Sequence, residues 1–182
     1  PYVHEIFEML TGVYCEMLER MKKYLHIDMV TFHDDWGTQR APFFSLNTCM
    51  EMIVPYLKRI CARAHELGMI FELHSCGMDE PLVPAMLESG VDMWAGQNLN
   101  SWEKVSAQYG DRLIYDMVWE KFDPQRFASK EDFLSQCVEK WKYYNESCPG
   151  VWMKVSRFFD QELVCGFFER TYPLSAEMLA SK

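Results

Sequence analysis

Four polar clusters follow short apolar runs of the sequence, and each contains residue types that can take part in chemistry. The clusters are residues 33–39, 74–77, 96–98 and 116–120. The run before each cluster is typical of a buried strand. In parallel α/β barrels the reactive groups gather at the carboxyl ends of the strands. Polar residues that recur at this equivalent position therefore favour a functional site.

The second cluster contains His74 and Cys76, which stand two residues apart. In extended backbone both side chains point to the same side, and an imidazole nitrogen with a thiolate sulfur suits Zn²⁺. The alternative is a hydrogen-bonded histidine beside a buried cysteine, which is a common structural arrangement. A metal site needs a third ligand, and Cys165, after the last strand region, could meet the end of the second strand. The other cysteines are predicted to be core or surface thiols: Cys15, Cys49, Cys61 and Cys137 in helix patterns, and Cys148 before a strand.

The first cluster contains two adjacent acids, Asp34 and Asp35. One carboxylate could bind a substrate cation, orient a metal-bound histidine or act as a general acid or base. The alternatives are a solvated loop or a helix cap. Because no helix pattern begins until about residue 46, we predict a catalytic role for at least one of them. The predicted substrate contacts are the polar or aromatic neighbours His33, Trp36, Gln39, Gln97 and Asn98.

Alternating helix and strand patterns position these clusters. Helical spacing is predicted over residues 2–24, 46–67, 81–88, 101–109 and 130–144, and strands over 27–32, 69–74, 91–94, 112–118 and 151–155. Gly68, Gly90 and Gly110 each stand just before a strand and are predicted helix C-caps. Alternation on this scale predicts a parallel sheet. The prediction is an α/β fold, about half of a TIM-type (β/α)8 barrel, with residues 1–182 as one unit.

The order and content of these segments resemble the uroporphyrinogen decarboxylase superfamily. The resemblance rests on residues 32–39, 55–59 and 73–77, and it continues into residues 90–92 and 172–175. It implies a TIM-type barrel of which this chain would be the C-terminal half, with the N-terminal half absent. Unpaired edge strands would then need a complement, from an N-terminal part or from a second chain, so a homodimer is among the expected partners.

The resemblance is closer to the corrinoid-dependent methyltransferase branch than to the decarboxylases. Decarboxylases of this superfamily lack a His-x-Cys at the strand end and carry a Gly-His-Gly turn where this sequence has residues 164–166. The methyltransferases use a His-x-Cys and a distant cysteine to bind zinc, which implies His74, Cys76 and Cys165 as Zn²⁺ ligands. Asp34 or Asp35 would hold those ligands or the substrate.

The function implied by this branch is methyl transfer between a corrinoid (cobalamin) carried by a partner protein and a thiol. The zinc would lower the pKa of the bound thiol, so that the thiolate is present near neutral pH. The acceptor could equally be a pterin or another group, and related systems act on methoxylated aromatics. Two alternatives stay open: a metal-free decarboxylase acting on tetrapyrrole acetate side chains, and a non-catalytic assembly module.

Composition and charge exclude several other classes. The 182 residues are 49% hydrophobic and 15% aromatic, which is enough for a sizeable core, and the net charge is −9. No cluster of Lys and Arg could bind nucleic acid or an anionic membrane, and no apolar run or leader pattern indicates insertion or secretion. Seven cysteines, odd in number and scattered, do not resemble a secreted disulfide framework. A cytoplasmic enzyme with a small-molecule methyl donor or acceptor is therefore expected.

Overall fold

The computed structural model describes residues 2–118, 121–154 and 161–180. It contains one sheet of five parallel strands in sequence order: β1 (Met29–His33), β2 (Ile70–His74), β3 (Met93–Ala95), β4 (Ile114–Val118) and β5 (Val151–Lys154). The helices are α1 (Tyr2–Leu25), α2 (Leu46–Met52), α3 (Val54–Glu66), α4 (Val83–Ser89), α5 (Trp102–Tyr109), α6 (Lys130–Ser147) and α7 (Gln161–Ala180), with a 3₁₀ turn at Glu80–Leu82 before α4. Consecutive strand and helix units of this kind build a TIM-type barrel. The predicted α/β class is confirmed.

The structure corrects one predicted helix and leaves two predicted segments untested. The helix predicted over residues 46–67 is two helices, α2 and α3, which meet at Ile53. Pro55 explains the break, because its ring clashes with the carbonyl four residues earlier and it has no N–H to donate. Trp119 and Glu120, at the end of the fourth polar cluster, and Val155, at the end of the last predicted strand, lie outside the described residues.

Local sequence signals begin and end several of these helices. Ser45, Ser101 and Ser129 are N-caps of α2, α5 and α6, and each hydroxyl accepts a hydrogen bond from a backbone N–H in the first helical turn. Gly90, with φ +81°, ends α4 in the left-handed conformation that glycine adopts most readily. After Gly90 the chain reaches β3 within three residues.

The two faces of the sheet differ in character because side chains alternate along each strand. One face packs under the helices, and its residues, such as Phe71, Leu73 and Trp94, are completely buried. The other face carries His33 and His74, which are register partners at the carboxyl ends of β1 and β2. The buried acids Glu72 and Asp116 and the half-exposed Ile70 and Trp152 share this second face.

None of the described helices combines the length and the apolar character needed to cross a membrane.

Candidate metal centre

Three side chains with metal-binding atoms meet at the carboxyl ends of β1 and β2. Asp35, His74 and Cys76 each offer one ligand atom, and these atoms lie within 4.8 Å of one another. The distance from His74 Nε2 to Cys76 Sγ is 3.4 Å. The two strands bring the residues together because β1 and β2 pair in register up to His33 and His74, and the Asp34 N–H continues the pairing to the His74 carbonyl at 3.1 Å.

The donor set fits zinc in chemistry, and the distance between the His74 and Cys76 ligand atoms fits a tetrahedral site. Zinc binds imidazole nitrogen, thiolate sulfur and carboxylate oxygen in tetrahedral sites, with bonds of about 2.0–2.3 Å. Tetrahedral angles then place a nitrogen and a sulfur ligand about 3.6 Å apart, close to the 3.4 Å between His74 and Cys76. Three protein donors would leave the fourth position open, which is the pattern of catalytic zinc sites.

Asp35 and Cys76 are joined by a hydrogen bond, and their pKa values shift in opposite directions. The Cys76 backbone N–H donates to Asp35 Oδ1 at 2.9 Å. This bond is the main reason why the pKa of Asp35 lies below its usual value, so the carboxylate is ionised at neutral pH. Burial, followed by the proximity of Asp35, raises the pKa of the Cys76 thiol. A metal that binds here must therefore displace the thiol proton.

Asp34 is not one of these three residues and lines a cavity. The cavity, of about 270 Å³, lies between α1, α3 and the end of β1, and His33 also lines it. Asp34 Oδ2 accepts a hydrogen bond from the Trp36 indole Nε1 at 2.8 Å. Burial raises the pKa of the Asp34 carboxyl, and this hydrogen bond partly opposes the shift. Trp36, one of the predicted substrate contacts, is itself buried and packs in the hydrophobic core.

The predicted substrate contacts occupy different surroundings. The His33 ring lies beside the His74 ring, with centroids 4.6 Å apart, and it is exposed. Gln97 is half-buried, and its Oε1 accepts a hydrogen bond from the Gly77 N–H at 3.0 Å. Asn98 is exposed and accepts from the Trp102 indole at 3.2 Å, while Gln39 is exposed in the loop after β1. Of these residues, His33 contacts the His74 ring, and Gln97 binds the backbone of Gly77, which follows Cys76.

Cys165 lies in α7, which packs against α6, and its side chain is exposed. Among the described residues, it does not join the group whose ligand atoms lie within 4.8 Å of one another. The acid that the structure brings to His74 and Cys76 is Asp35. The remaining cysteines lie as predicted: Cys15, Cys49, Cys61 and Cys137 in helices, and Cys148 between α6 and β5.

Sequence reasoning did not single out Asn100, which holds the loop after β2. Its Oδ1 accepts from the backbone N–H groups of Asp79 and Glu80, at 2.8 and 2.9 Å. Its Nδ2 donates to the carbonyls of Gly77 and Gln97, both at 2.9 Å. The side chain is buried and uses its hydrogen-bonding groups on backbone atoms of two loops. Asparagine is so common in loops that no sequence signal distinguishes it there.

Comparison with known proteins supports the fold. No family model matches the chain, and no curated protein matches it. Among solved structures, the chain is similar to a methyltransferase from Methanosarcina mazei, with a TM-score of 0.62 and 14% sequence identity. The similarity covers 87% of this chain and 45% of that chain, so this chain spans about half the length of the structure that it matches.

Proposed function

We propose that this chain is part of a zinc-dependent methyltransferase of the uroporphyrinogen decarboxylase superfamily. It would move a methyl group between a corrinoid carried by a partner protein and a thiol or a similar acceptor. The observation that carries the proposal is the approach of Asp35, His74 and Cys76 within 4.8 Å at adjacent strand ends. Methyl transfer as the reaction class is supported by the name of the solved structure with the same fold, a methyltransferase.

In this proposal His74, Cys76 and Asp35 hold the zinc. Bound zinc would lower the pKa of a thiol substrate and so present a thiolate near neutral pH. The Asp35 carboxylate would have two roles. It would bind the zinc, and it accepts the 2.9 Å hydrogen bond that holds the Cys76 backbone in place. The sequence predicts Cys165 as the third ligand, and the proposal takes Asp35 in its place because a ligand atom of Asp35 lies within 4.8 Å of those of His74 and Cys76.

The chemical step is a displacement at the methyl carbon. The partner's corrinoid would supply the methyl group and keep the electron pair of the broken carbon–cobalt bond, and the thiolate sulfur held at the zinc would form the new bond to that carbon. The products are a thioether and the reduced corrinoid. The His33 ring, which is exposed beside His74, would contact the substrate.

A methyl-transfer assay tests this function directly. Methylcobalamin and 2-mercaptoethanol are mixed anaerobically with the purified protein and zinc, and the loss of the methylcobalamin absorbance is followed. We expect turnover that Cys76→Ser abolishes. The control is Cys15→Ser, which removes a half-buried thiol from α1, far from the three donors in sequence. Turnover that Cys76→Ser leaves unchanged would contradict the proposal, and a zinc-free protein that binds a tetrapyrrole would favour the decarboxylase alternative.

A further inference from the structure

We infer that Asp79 is a positioning residue for the metal centre: acting through Ser75, its carboxylate fixes the backbone segments that carry Asp35, His74 and Cys76. The inference rests on the proposed function, because it assigns a role in the same site. It concerns two side chains that make no contact with the metal donors' ligand atoms. A chain of buried hydrogen bonds connects the loops after β1 and β2.

The first link joins the neighbours of the three donors. Ser75 stands between His74 and Cys76, and Trp36 follows Asp35 directly in the sequence. The Trp36 backbone N–H donates to Ser75 Oγ at 2.9 Å. One hydrogen bond therefore connects a residue adjacent to Asp35 with the residue that separates the other two donors. A shift of either loop must break it.

The second link joins Ser75 to Asp79. The Ser75 hydroxyl donates to Asp79 Oδ2 at 2.6 Å, and both residues are 0% exposed. A hydroxyl has one proton, so donating it to Asp79 turns its lone pairs towards Trp36. Hydrogen bonds to a buried carboxylate are shorter and stronger than those between neutral groups. Asp79 thereby orients the hydroxyl that holds Trp36.

Close contact between the two loops makes this link sensitive to small movements. A Cβ atom placed on Gly37 would lie 2.3 Å from Asp79 Oδ1, and one placed on Gly77 would lie 2.2 Å from the Gly37 carbonyl carbon. Only glycine at both positions allows this approach. Two backbone hydrogen bonds also join the loops. The Gly37 N–H donates to the Cys76 carbonyl at 3.2 Å, and the Met78 N–H donates to the Thr38 carbonyl at 2.8 Å.

Asn100 anchors Asp79 from the third loop. It accepts hydrogen bonds from the N–H groups of Asp79 and Glu80 and donates to the Gly77 carbonyl. Asn100, in the loop after β3, thus fixes the backbone from which the Asp79 side chain extends. Replacing residues that orient metal ligands through hydrogen bonds typically lowers metal affinity by about 10–100-fold. We expect the same range for Asp79.

The test compares zinc affinity in four variants of the purified protein. Asp79→Ala and Ser75→Ala should weaken zinc binding by about 10–100-fold and change the visible spectrum of the Co²⁺-substituted protein. Asp79→Asn keeps an oxygen that accepts from Ser75, so it should restore most of the affinity. The matched control is Ser89→Ala. It removes another buried serine hydroxyl, one that donates to the Ala85 carbonyl at 2.8 Å within α4, and it should leave zinc affinity and the Co²⁺ spectrum unchanged.

Amide hydrogen exchange in the metal-free protein separates this inference from the proposed function. Asp79→Ala should speed exchange at the Trp36 and Cys76 amides, whereas Ser89→Ala should not. If the wild type binds zinc and Asp79→Ala binds it equally well with the same spectrum, the positioning role is wrong and the proposed function stands. If the wild type binds no zinc, the proposed function fails. Unchanged exchange at the Trp36 and Cys76 amides in Asp79→Ala would overturn the inference whether or not the wild type binds zinc.

Discussion

Replacing Gly77 with alanine should destabilise the protein through the contact between the two site loops. Gly77 has φ +104°, and an added Cβ would lie 2.2 Å from the Gly37 carbonyl carbon. Carbon atoms in contact normally stand about 3.5–4.0 Å apart, so the loops would have to separate by more than about 1 Å. The left-handed conformation costs alanine about 1–2 kcal/mol, and overpacking adds about 1–3 kcal/mol. The expected total is about 2–5 kcal/mol.

Gly68→Ala is the matched control for this prediction. Gly68 also has a positive φ, +68°, but no heavy atom lies within 4 Å of an added Cβ. Only the conformational cost of about 1–2 kcal/mol remains. Urea unfolding of both variants measures the difference, which we expect to be about 1–3 kcal/mol if their m-values agree. Equal stabilities for the two variants would refute the close contact between Gly37 and Gly77.

Four further predictions concern core packing, the titration of Asp79 and the binding of zinc. Phe133→Ala should lower the free energy of unfolding by about 3–5 kcal/mol because the ring is completely buried. Phe168→Ala, at a side chain that is 55% exposed, should lower it by under about 1 kcal/mol in the same denaturation assay. Equal losses for the two variants would contradict the packing of α6. Burial raises the pKa of Asp79 to about 6, above its usual value, so ionisation of Asp79 should lower the free energy of unfolding as pH rises from about 4 to about 6, by up to about 3 kcal/mol. Asp79→Asn should remove that fall, and identical pH profiles for the two proteins would refute it. Because the pKa of the Cys76 thiol is raised, zinc affinity should increase about tenfold per pH unit between pH 7 and 8, and a flat profile by titration would argue against thiolate ligation. Asp35→Asn should weaken zinc binding while Cys165→Ser leaves it unchanged, and the reverse result would make Cys165 the third ligand.

The order of the fold could be predicted because each strand and helix has its own local pattern. Strand alternation alone was enough to place His74 and Cys76 on one side, and the 3.4 Å between their ligand atoms agrees with it. The break between α2 and α3 has a local cause in Pro55, so the sequence contained that signal although helical periodicity concealed it.

The third metal donor and its support could not be derived in the same way. Asp35 reaches Cys76 only because Gly37 and Gly77 let two loops approach each other, and this contact joins residues about forty positions apart. The roles of Asp79 and Asn100 depend on burial, which the loop sequence does not reveal. The position of Cys165 depends on where α7 begins, and the alternation of strands and helices does not specify it.

The zinc content of purified variants shows whether His74 and Cys76 hold a metal. The wild type, His74→Ala and Cys76→Ser are purified without added metal, and zinc is measured by elemental analysis, with Cys15→Ser as the control. We expect close to one zinc per chain in the wild type and the control, and loss of zinc from His74→Ala and Cys76→Ser. A wild type without zinc, or full zinc in both site variants, would contradict it.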